Sequence, residues 1–448
     1  MAAMDSRIAD DAVRLCQALI RIDTTNPPGR ELLAAELLAR ELSAAGLEPQ
    51  VLASAPDRAN VVTRVRGTGE LPPLLLTAHL DVVEADPSAW AHPPFSGEIA
   101  EGFLWGRGAV DMKNMAAMSV ALLRALARAK ARPRRDIIFA GVADEEAGSD
   151  FGASWLVANH ADLVRAEFAF GEVGGFTMYL GNLILYPIQV AEKGYAWIRA
   201  RVRGPAGHGS MPREDSAVVK LGAAVARLGT TPLPPHRTQV FADFLAAAGR
   251  GVPPPLRPIL RRLGSPRIAP MLLRFLPDRS LARAMAALLS NTAAPTVLRA
   301  GGKTNVIPGV AECEIDGRIL PGQTTADLLR ELGAVLGDEV ELEVFREAPP
   351  VVTEPVPSPA WDAIVDVMGR REPGAIVAPY LIPGFTDAKA FSRLGTRWYG
   401  FTPVKLPRGL RFAELYHGHD ERIPVDGLRW GAETLAEVVT TLAQCESL

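Results

Sequence analysis

Acidic residues and one histidine come at the ends of apolar segments that predict buried strands. The run PPLLLTAHLDVV contains His79 and Asp81, DIIFAGVADEE ends in Glu145 and Glu146, and EFAFGEVGG contains Glu172. Segments that are apolar on both faces are typical of strands in a helix-flanked sheet, where sites form at the carboxyl ends of the strands. Acids gathered there would repel one another and resist burial. The sequence therefore predicts a pair of metal ions that neutralises them.

The ligand types favour a hydrolytic metal site. Imidazole with carboxylate, and no thiolate, suits zinc, manganese or cobalt. His79 and Asp81 are two residues apart on a strand and point to the same side, so His79 can ligate one ion while Asp81 holds its other ring nitrogen. Asp111, in WGRGAVDMKNMAAM, has two oxygens that can bridge two ions. Two simpler interpretations stay open: a structural histidine–aspartate pair, and a helix N-cap at Asp111.

The adjacent acids Glu145 and Glu146 cannot share one orientation on a regular strand. We assign Glu145 as the general base and Glu146 as a ligand. A bound metal lowers the pKa of water to about 7, and a free carboxylate can then take its proton and pass it to the leaving amine. A solvated acidic turn is the alternative for this pair, and an exposed turn is the alternative for Glu172.

The order of elements predicts an α/β fold in two parts. Helical periodicity covers residues 5–22, 30–45, 112–131 and 152–164, and buried strands alternate with these helices. After residue 190 the pattern changes to half-exposed strands and amphipathic helices, which indicates a small α+β domain. We therefore predict a catalytic domain in residues 1–190 and 350–448, and a lid domain in residues 191–349 with a helical insertion at about 233–298.

Composition excludes several classes of protein. Of 448 residues, 48% are hydrophobic and 22% charged, and the formal net charge is −3, so no partner that is a nucleic acid or an anionic membrane is expected. Basic residues are spread along the chain. Three cysteines form neither a disulfide framework nor a thiolate zinc site. The start, MAAMDSRIADDAVRL, lacks the features of a signal peptide, so a soluble cytoplasmic protein is expected.

Several motifs together resemble the dizinc aminoacylase, carboxypeptidase and succinyl-diaminopimelate desuccinylase family. They are TAHLDVV, PPFSGEIAEGFLWGRGAVDMKNMAAM, ADEEAGSDFGASWL and FGEVGG, in that order. The resemblance implies a phosphorylase/hydrolase-like mixed-sheet catalytic domain with an inserted ferredoxin-like lid, or dimerisation, domain. It also implies two divalent metal ions, zinc with cobalt or manganese as alternatives. The insertion before NTAAPTVLRAGGKTNVIPG resembles the branch of Gly-Xaa carboxypeptidases and N-acyl-amino-acid hydrolases.

The resemblance assigns roles to the acids and histidines. Asp81 would be the partner of a ligating histidine, Glu145 the base, and Asp111 the bridging ligand. The last ligand would come from the segment YHGHDERIPVD, where the spacing to Glu421 favours His417 over His419. One ion would lie with the pair of His79 and Glu172, and the other with the pair of His417 and Glu146. The implied metal ligands are His79, Asp111, Glu146, Glu172 and His417.

The lid also matches family motifs. In GPAGHGSMP, His208 would stabilise the oxyanion, and in dimeric relatives this histidine comes from the partner subunit. Arg318, in DGRILPG, can grip a carboxylate with its planar fork, although a structural salt bridge is the open alternative. The implied substrate-binding residues are Asn305, Arg318, Gly384 and Thr386, with Asp387 beside them.

These assignments predict hydrolysis of the amide bond of a dipeptide, short peptide or N-acyl amino acid that carries a free carboxylate. A metal-bridging water activated by Glu145 would attack the carbonyl. A succinyl- or carbamoyl-amide deacylase, a metal-dependent phosphoesterase and a non-catalytic binding module are the alternatives. The expected partners are a small-molecule or short-peptide substrate and, through the lid domain, a second copy of the chain.

Overall fold

The computed structural model describes Asp5, residues 7–275 and residues 279–445, which form two compact units. The first unit takes in the described residues up to Val190, together with 353–380 and 386–445. The second comprises residues 191–352 and 381–385. Among these residues, no helix combines the length and the apolar character that crossing a bilayer requires.

The first stretch of chain alternates helices and strands. Its helices are α1 Arg7–Ile20, α2 Glu31–Ser43, α3 Lys113–Arg128, α4 Ala153–Asn159 and α5 Ala161–Val164. Its strands are β1 Gln50–Ala55, β2 Arg58–Val65, β3 Leu71–His79, β4 Ile99–Ala100, β5 Phe103–Trp105, β6 Arg135–Val142, β7 Phe168–Gly171, β8 Met178–Leu180 and β9 Leu183–Glu192.

The middle and last stretches complete the two units. Strands of the middle stretch are β10 Gly194–Arg203, β11 Gly207–His208, β12 Thr292–Ala300, β13 Val306–Ile307, β14 Val310–Ile319, β15 Glu341–Ala348 and β16 Val351–Val352. Its helices are α6 Ala217–Thr230, α7 Gln239–Ala248, α8 Arg257–Arg262, α9 Ala269–Arg274, α10 Arg279–Ala287 and α11 Thr325–Leu336. The last stretch consists of α12 Pro359–Arg371, β17 Ile376–Ile382, α13 Ala388–Phe391, β18 Arg397–Gly400, β19 Arg422–Pro424 and α14 Val425–Leu442.

A mixed sheet organises the first unit. Its strands follow the order β1-β2-β6-β3-β7-β18-β9, and the neighbours β6, β3, β7 and β18 run parallel. Their side chains are buried, as the apolar runs predict: Leu75, Phe139 and Phe170 are all 0% exposed. Helix α1 packs against α3 and α14. Because the four central strands are parallel, their carboxyl ends lie along one edge of the sheet.

A four-stranded antiparallel sheet organises the second unit. Its order is β12-β14-β10-β15, and helices α6 and α11 pack against it. Numbered along the chain, these strands lie in the order 2-3-1-4, with a helix after the first and after the third, which is the ferredoxin-like arrangement. The core is formed by the alternate residues of the strands and the apolar faces of the helices, for example Ile198, Leu221, Ile315 and Leu332.

Two of the predicted elements were wrong in extent. Residues 292–298, predicted as part of the helical insertion, belong to strand β12, which pairs with β14 from Thr292 to Ala300. Strand β12 lies at the edge of its sheet, where Pro295 is tolerated. The helix predicted over 152–164 is divided into α4 and α5 at His160, whose backbone is not helical.

Candidate metal centre

The parallel strands deliver three of the predicted acids and one histidine to the same edge of the sheet. His79 is the last residue of β3, and β6 is followed by a single helical turn that begins with Glu145 and Glu146. Glu172 directly follows β7. In the register of β3 and β6, His79 lies opposite Val142, so the turn with both glutamates starts just beyond the histidine.

Asp111 lies between two imidazoles that come from distant parts of the chain. Its Oδ1 is 3.0 Å from His79 Nε2, and its Oδ2 is 3.3 Å from His417 Nε2. The two oxygens of one carboxylate therefore face two different nitrogen ligands. His417, and not its neighbour His419, is the histidine within ion-pair distance of Asp111 and of Glu146.

Each imidazole has a second carboxylate beside it. His417 Nε2 is 3.1 Å from Glu146 Oε2, and His79 Nε2 is 3.8 Å from Glu172 Oε2. One oxygen of each glutamate, Oε1, is buried without a hydrogen-bond partner among the described residues. Ligand atoms of His79, Asp111 and Glu146 lie within 4.8 Å of one another, which suits a cation. Unpartnered carboxylate oxygens beside imidazoles are the donor set that zinc, cobalt and manganese accept.

Burial and mutual repulsion shape the charges of this cluster. Burial, followed by the charge of Glu172, raises the pKa of Glu145 well above its ordinary value. The pKa of Glu172 is also raised well above its ordinary value, first by burial and then by carboxylates such as Asp111. Burial alone would lower the pKa of His79, but its bonds to Asp111 and Asp81 outweigh burial and raise that pKa. The cluster therefore demands compensating positive charge, since isolated buried carboxylates are strongly disfavoured.

The carboxylate of Asp81 lies beside the second ring nitrogen of His79 and has further partners. His79 Nδ1 lies 3.0 Å from the backbone carbonyl oxygen of Asp81 and 3.5 Å from its carboxylate. The carboxylate also accepts the backbone N–H groups of Glu145 and Glu146, each at 3.1 Å, and the side-chain amide of Asn26 at 2.8 Å. Asp81 thus fixes both the tautomer of the histidine, through its backbone, and the turn that carries two acids.

A buried polar network behind the turn was not predicted from the sequence. Asn26 donates to Asp144 Oδ1 at 3.0 Å as well as to Asp81. The guanidinium of Arg58 donates to Asp144 at 2.8 Å and to both oxygens of Glu31 at 2.6 and 2.8 Å. These residues come from the segment after α1, from α2 and from β2, so no local pattern in the sequence joins them.

Glu421 anchors the loop that carries Asp111. Its carboxylate accepts the backbone N–H groups of Gly108, Val110 and Asp111 at 3.1, 2.8 and 3.2 Å. It also forms a buried ion pair of 2.8 Å with Arg107. The glutamate of the C-terminal motif is therefore a positioning residue for the loop, which its spacing from His417 did not indicate.

Three residues next to or within the cluster have left-handed backbone conformations. Asp144 precedes Glu145 with a φ of 67°, Val173 follows Glu172 with a φ of 60°, and His417 itself has a φ of 57°. This conformation is uncommon for residues other than glycine and is an outlier for a β-branched valine. Such strain costs of order 1–3 kcal/mol at each residue and concentrates at functional sites.

The segment around Thr386 and Asp387 also belongs to the first unit. Both side chains are buried, and Asp387 accepts a hydrogen bond of 2.6 Å from the hydroxyl of Ser149. The hydroxyl of Thr386 accepts the backbone N–H of Ala388 at 3.1 Å. Negative charge on Asp387 contributes to the raised pKa of Glu145. These residues shape the electrostatics near the cluster.

The other predicted substrate residues lie in the second unit. His208 and Asn305 are both exposed and are brought close together, because β11 pairs with β13 and Gly209 donates to the carbonyl oxygen of Asn305 at 2.9 Å. His208 Nδ1 is 2.7 Å from the hydroxyl of Ser210. Gly384 has open space where a Cβ would be.

Arg318 forms a hydrogen-bonded pair with its neighbour Asp316. Its Nε and Nη2 donate to that carboxylate at 2.9 and 3.0 Å, and its guanidinium lies over the ring of Phe385 at 5.0 Å. The remaining nitrogen, Nη1, is buried and has no hydrogen-bond partner among the described residues. The structural salt bridge, which was the alternative for Arg318, is therefore present. One donor of the guanidinium, Nη1, is not used by it.

The chain is similar to known proteins along most of its length. The family model described as Peptidase family M20/M25/M40 matches residues 75–441. A probable carboxypeptidase S-like protein of Dictyostelium discoideum is 30% identical over 378 residues, which is 79% of this chain and 69% of that protein. The human N-fatty-acyl-amino acid synthase/hydrolase PM20D1 is 31% identical over 381 residues, which is 82% of this chain and 74% of that protein.

Solved structures share the fold at low identity. An M20 family metallo-carboxypeptidase from Sulfolobus solfataricus matches with a TM-score of 0.71 and 17% identity, over 98% of this chain and all of that one. A dinuclear metal-binding M20 peptidase from Bacillus subtilis matches with a TM-score of 0.59 and 13% identity, over 99% of this chain and all of that one. The predicted fold class and family are thereby confirmed. The chain belongs to peptidase family M20/M25/M40 and is an enzyme of the metallopeptidase and amidohydrolase class.

Proposed function

We propose that this enzyme uses two divalent cations, zinc in the first place, to hydrolyse the amide bond of an N-acyl amino acid or dipeptide with a free carboxylate. The observation that carries the proposal is the carboxylate of Asp111, whose two oxygens face His79 at 3.0 Å and His417 at 3.3 Å. A carboxylate between two sets of ligands suits a dinuclear site, because its two oxygens can bind two cations.

In this proposal each cation has its own imidazole and its own glutamate. His79 and Glu172 would hold one cation, His417 and Glu146 the other, and Asp111 both. Bound cations would polarise the substrate carbonyl and lower the pKa of a water molecule. The unpartnered Oε1 atoms of Glu146 and Glu172 support these assignments, since each glutamate keeps an oxygen free for a further bond.

Glu145 would act as the general base. Its carboxylate is buried beside His79 and Glu172, with ligand atoms of the three within 4.8 Å of one another. Burial raises its pKa well above the ordinary value, and a higher pKa makes a carboxylate a better proton acceptor. Asp81 holds its backbone, so the acceptor is oriented before the substrate arrives. The proton would then pass from Glu145 to the leaving amine.

Residues of the second unit, together with Thr386, would recognise the substrate. We propose that His208 donates to the developing oxyanion and that Asn305, Gly384 and Thr386, the last in the first unit, contact the substrate. Arg318 would bind the free carboxylate through Nη1, which has no partner among the described residues. The proposal includes a homodimer formed through the second unit, which size-exclusion chromatography with light scattering would test.

The class of substrate is supported by the relatives. One relative is a probable carboxypeptidase, and another is a synthase/hydrolase of N-fatty-acyl amino acids. Substrates of both kinds carry a free carboxylate next to the amide bond. A panel of N-acyl amino acids, dipeptides, succinylated diamines and N-carbamoyl amino acids would identify the substrate class by kcat/KM. Higher kcat/KM for succinyl or carbamoyl compounds would favour the alternative deacylase.

The test of the mechanism is Glu145→Gln in zinc-loaded enzyme. Removal of the base should lower kcat by about 10²–10⁴-fold, while the metal content by mass spectrometry stays at the wild-type level. Glu48→Gln, at an exposed glutamate of the same unit, is the matched control and should keep full activity. Full activity of Glu145→Gln would remove Glu145 from the role of base.

Removal of metal tests the cofactor separately. Chelation should abolish hydrolysis, and zinc, cobalt or manganese should restore it. Comparison of kcat/KM among the three reconstituted forms identifies the preferred cation. Activity that persists in metal-free protein would refute the dinuclear mechanism.

A further inference from the structure

A short segment of the second unit, residues 249–283, concentrates positive charge. We call it the arginine segment. It holds eight arginines and one acidic residue, a formal charge of +7 in a chain whose total is −3. The remaining chain is correspondingly more acidic. The arginines are Arg250, Arg257, Arg261, Arg262, Arg267, Arg274, Arg279 and Arg283.

The arginines of this segment point into solvent. All eight are exposed. Within the described part of the chain, no carboxylate lies within ion-pair distance of Arg250, Arg261, Arg262, Arg267 or Arg274. Several other arginines of this unit are paired with carboxylates, for example Arg203 with Glu341 and Arg330 with Asp327. The segment therefore carries positive charge that its own unit does not neutralise.

Large apolar side chains are exposed among these charges. Helix α9 buries Ala269 and Leu273 but leaves Met271 56% exposed, and Phe275, directly after the helix, is 79% exposed. Phe275 has the largest exposed fraction among the large apolar side chains of the described residues. A surface that mixes free cations with exposed apolar groups matches the boundary between lipid headgroups and acyl chains.

We propose that the arginine segment binds the surface of a bilayer that contains anionic lipid. The arginines would contact phosphate and carboxylate headgroups, and Phe275 and Met271 would enter the boundary with the acyl chains. Such binding is peripheral, in keeping with a six-residue α9 that is far too short to span a bilayer. The exposed apolar side chains favour a lipid surface over a nucleic acid. Acyl chains can surround Met271, whereas the phosphate backbone of a nucleic acid cannot. This inference goes beyond the hydrolytic function.

The first test is co-sedimentation of the metal-loaded enzyme with vesicles. Vesicles of phosphatidylcholine with about one third phosphatidylglycerol should bind the enzyme at low salt, whereas pure phosphatidylcholine should not. Binding should weaken as salt rises, because the Debye length falls from about 10 Å at 0.1 M to about 3 Å at 1 M. Equal binding to both kinds of vesicle, or none to the anionic ones, would overturn the proposal.

Variants localise the binding to the segment. Each basic residue near an anionic surface contributes about fivefold in partition coefficient, so the double reversal R261E/R262E should weaken binding at least about 25-fold. The matched double reversal R203E/R330E, at exposed arginines outside the segment, should weaken it far less. Phe275→Ser should reduce binding severalfold, and Leu298→Ser, at another exposed apolar residue of the unit, should not.

The same variants also provide controls for folding and for the specificity of binding. Hydrolysis of a soluble substrate should be unchanged in every variant, because none of these residues belongs to the proposed metal or substrate site. Thermal unfolding of each variant verifies that the protein is folded at the temperature of the binding measurement. Equal losses in the segment variants and in their controls would overturn the proposal. A DNA duplex that displaces the enzyme from vesicles at equal phosphate concentration would overturn it in favour of a nucleic-acid site.

Discussion

One carboxylate oxygen of Glu421 accepts the backbone N–H of Asp111 at 3.2 Å. The proposed bridging ligand is thus held by a residue more than three hundred positions further along the chain. The second oxygen of Glu421 pairs with the buried guanidinium of Arg107 at 2.8 Å. Partners that orient metal ligands in this way affect metal affinity although they do not touch the metal.

Glu421→Gln should therefore weaken metal binding. Loss of the charge leaves Arg107 buried and unpaired and loosens the loop, and such changes lower metal affinity by about 10–100-fold. Competition with a chelator of known affinity measures the change. Glu414→Gln, at an exposed glutamate of the same segment, is the control and should bind metal normally. Unchanged metal affinity in a folded Glu421→Gln protein would contradict the positioning role.

Metal stoichiometry distinguishes the two nearby histidines. The wild type should bind two cations per chain and His417→Ala only one, because His417 alone of the pair lies beside Asp111 and Glu146. His419→Ala should still bind two. Mass spectrometry of the native protein counts the cations directly. Two cations in His417→Ala, or one in His419→Ala, would reverse the assignment.

Arg318→Lys tests whether the leftover donor of the fork binds the substrate carboxylate. Loss of a hydrogen bond to a charged group costs about 1.5–3 kcal/mol, so KM should rise by about 10–100-fold. A substrate whose carboxylate is capped as an amide should show no such change. Arg299→Lys, paired with Glu314 on the edge strand, is the control. A lower melting temperature with unchanged KM would leave Arg318 only its structural salt bridge with Asp316.

The buried amine of Lys193 predicts a pH dependence of stability. Burial, and then the charge of Arg318, lowers the pKa of Lys193 from 10.5 to about 7. Between these values the unfolded chain holds the proton and the folded chain does not, so stability rises with pH, by at most about 1.4 kcal/mol per unit. Below pH 7 both states are protonated and the contribution is constant.

Lys193→Met should remove this slope, whereas Lys303→Met, at an exposed lysine of the same unit, should keep it. Melting temperatures measured between pH 7 and 10 for the three proteins give the comparison. The difference between wild type and Lys193→Met cancels the contributions of all other groups. A constant difference across this pH range would show that Lys193 does not titrate there.

Local patterns located most of the elements around the cluster. His79, Glu145, Glu146 and Glu172 follow apolar runs, and strands β3, β6 and β7 form at those runs. Parallel pairing then brings the carboxyl ends of these strands together, as expected for an open α/β sheet. His417 was assigned to the same cluster only from the resemblance to family motifs, because no local pattern around it indicates that position. The metal and base roles of these residues stay predictions.

Long-range polar contacts could not be predicted in the same way. The bonds from Asn26 to Asp81 and from Glu421 to the loop at Asp111 join segments without any shared periodicity. The expectation that no anionic membrane is a partner rested on the net charge of −3, which averages the arginine segment with an acidic remainder. Residues 292–298, expected within the helical insertion, belong to the edge strand β12, whose pairing with β14 is also long-range. These features depend on contacts between distant segments, or on a local charge that the net charge of the whole chain conceals.

The position of His417 in the chain has a consequence for biosynthesis. During translation, His79, Asp111, Glu146 and Glu172 emerge from the ribosome long before His417. Under the proposed assignment, a nascent chain would therefore hold the donors for one cation but not for both. Full metal loading would then require that synthesis has passed His417, and a product truncated before His417 would lack the second cation.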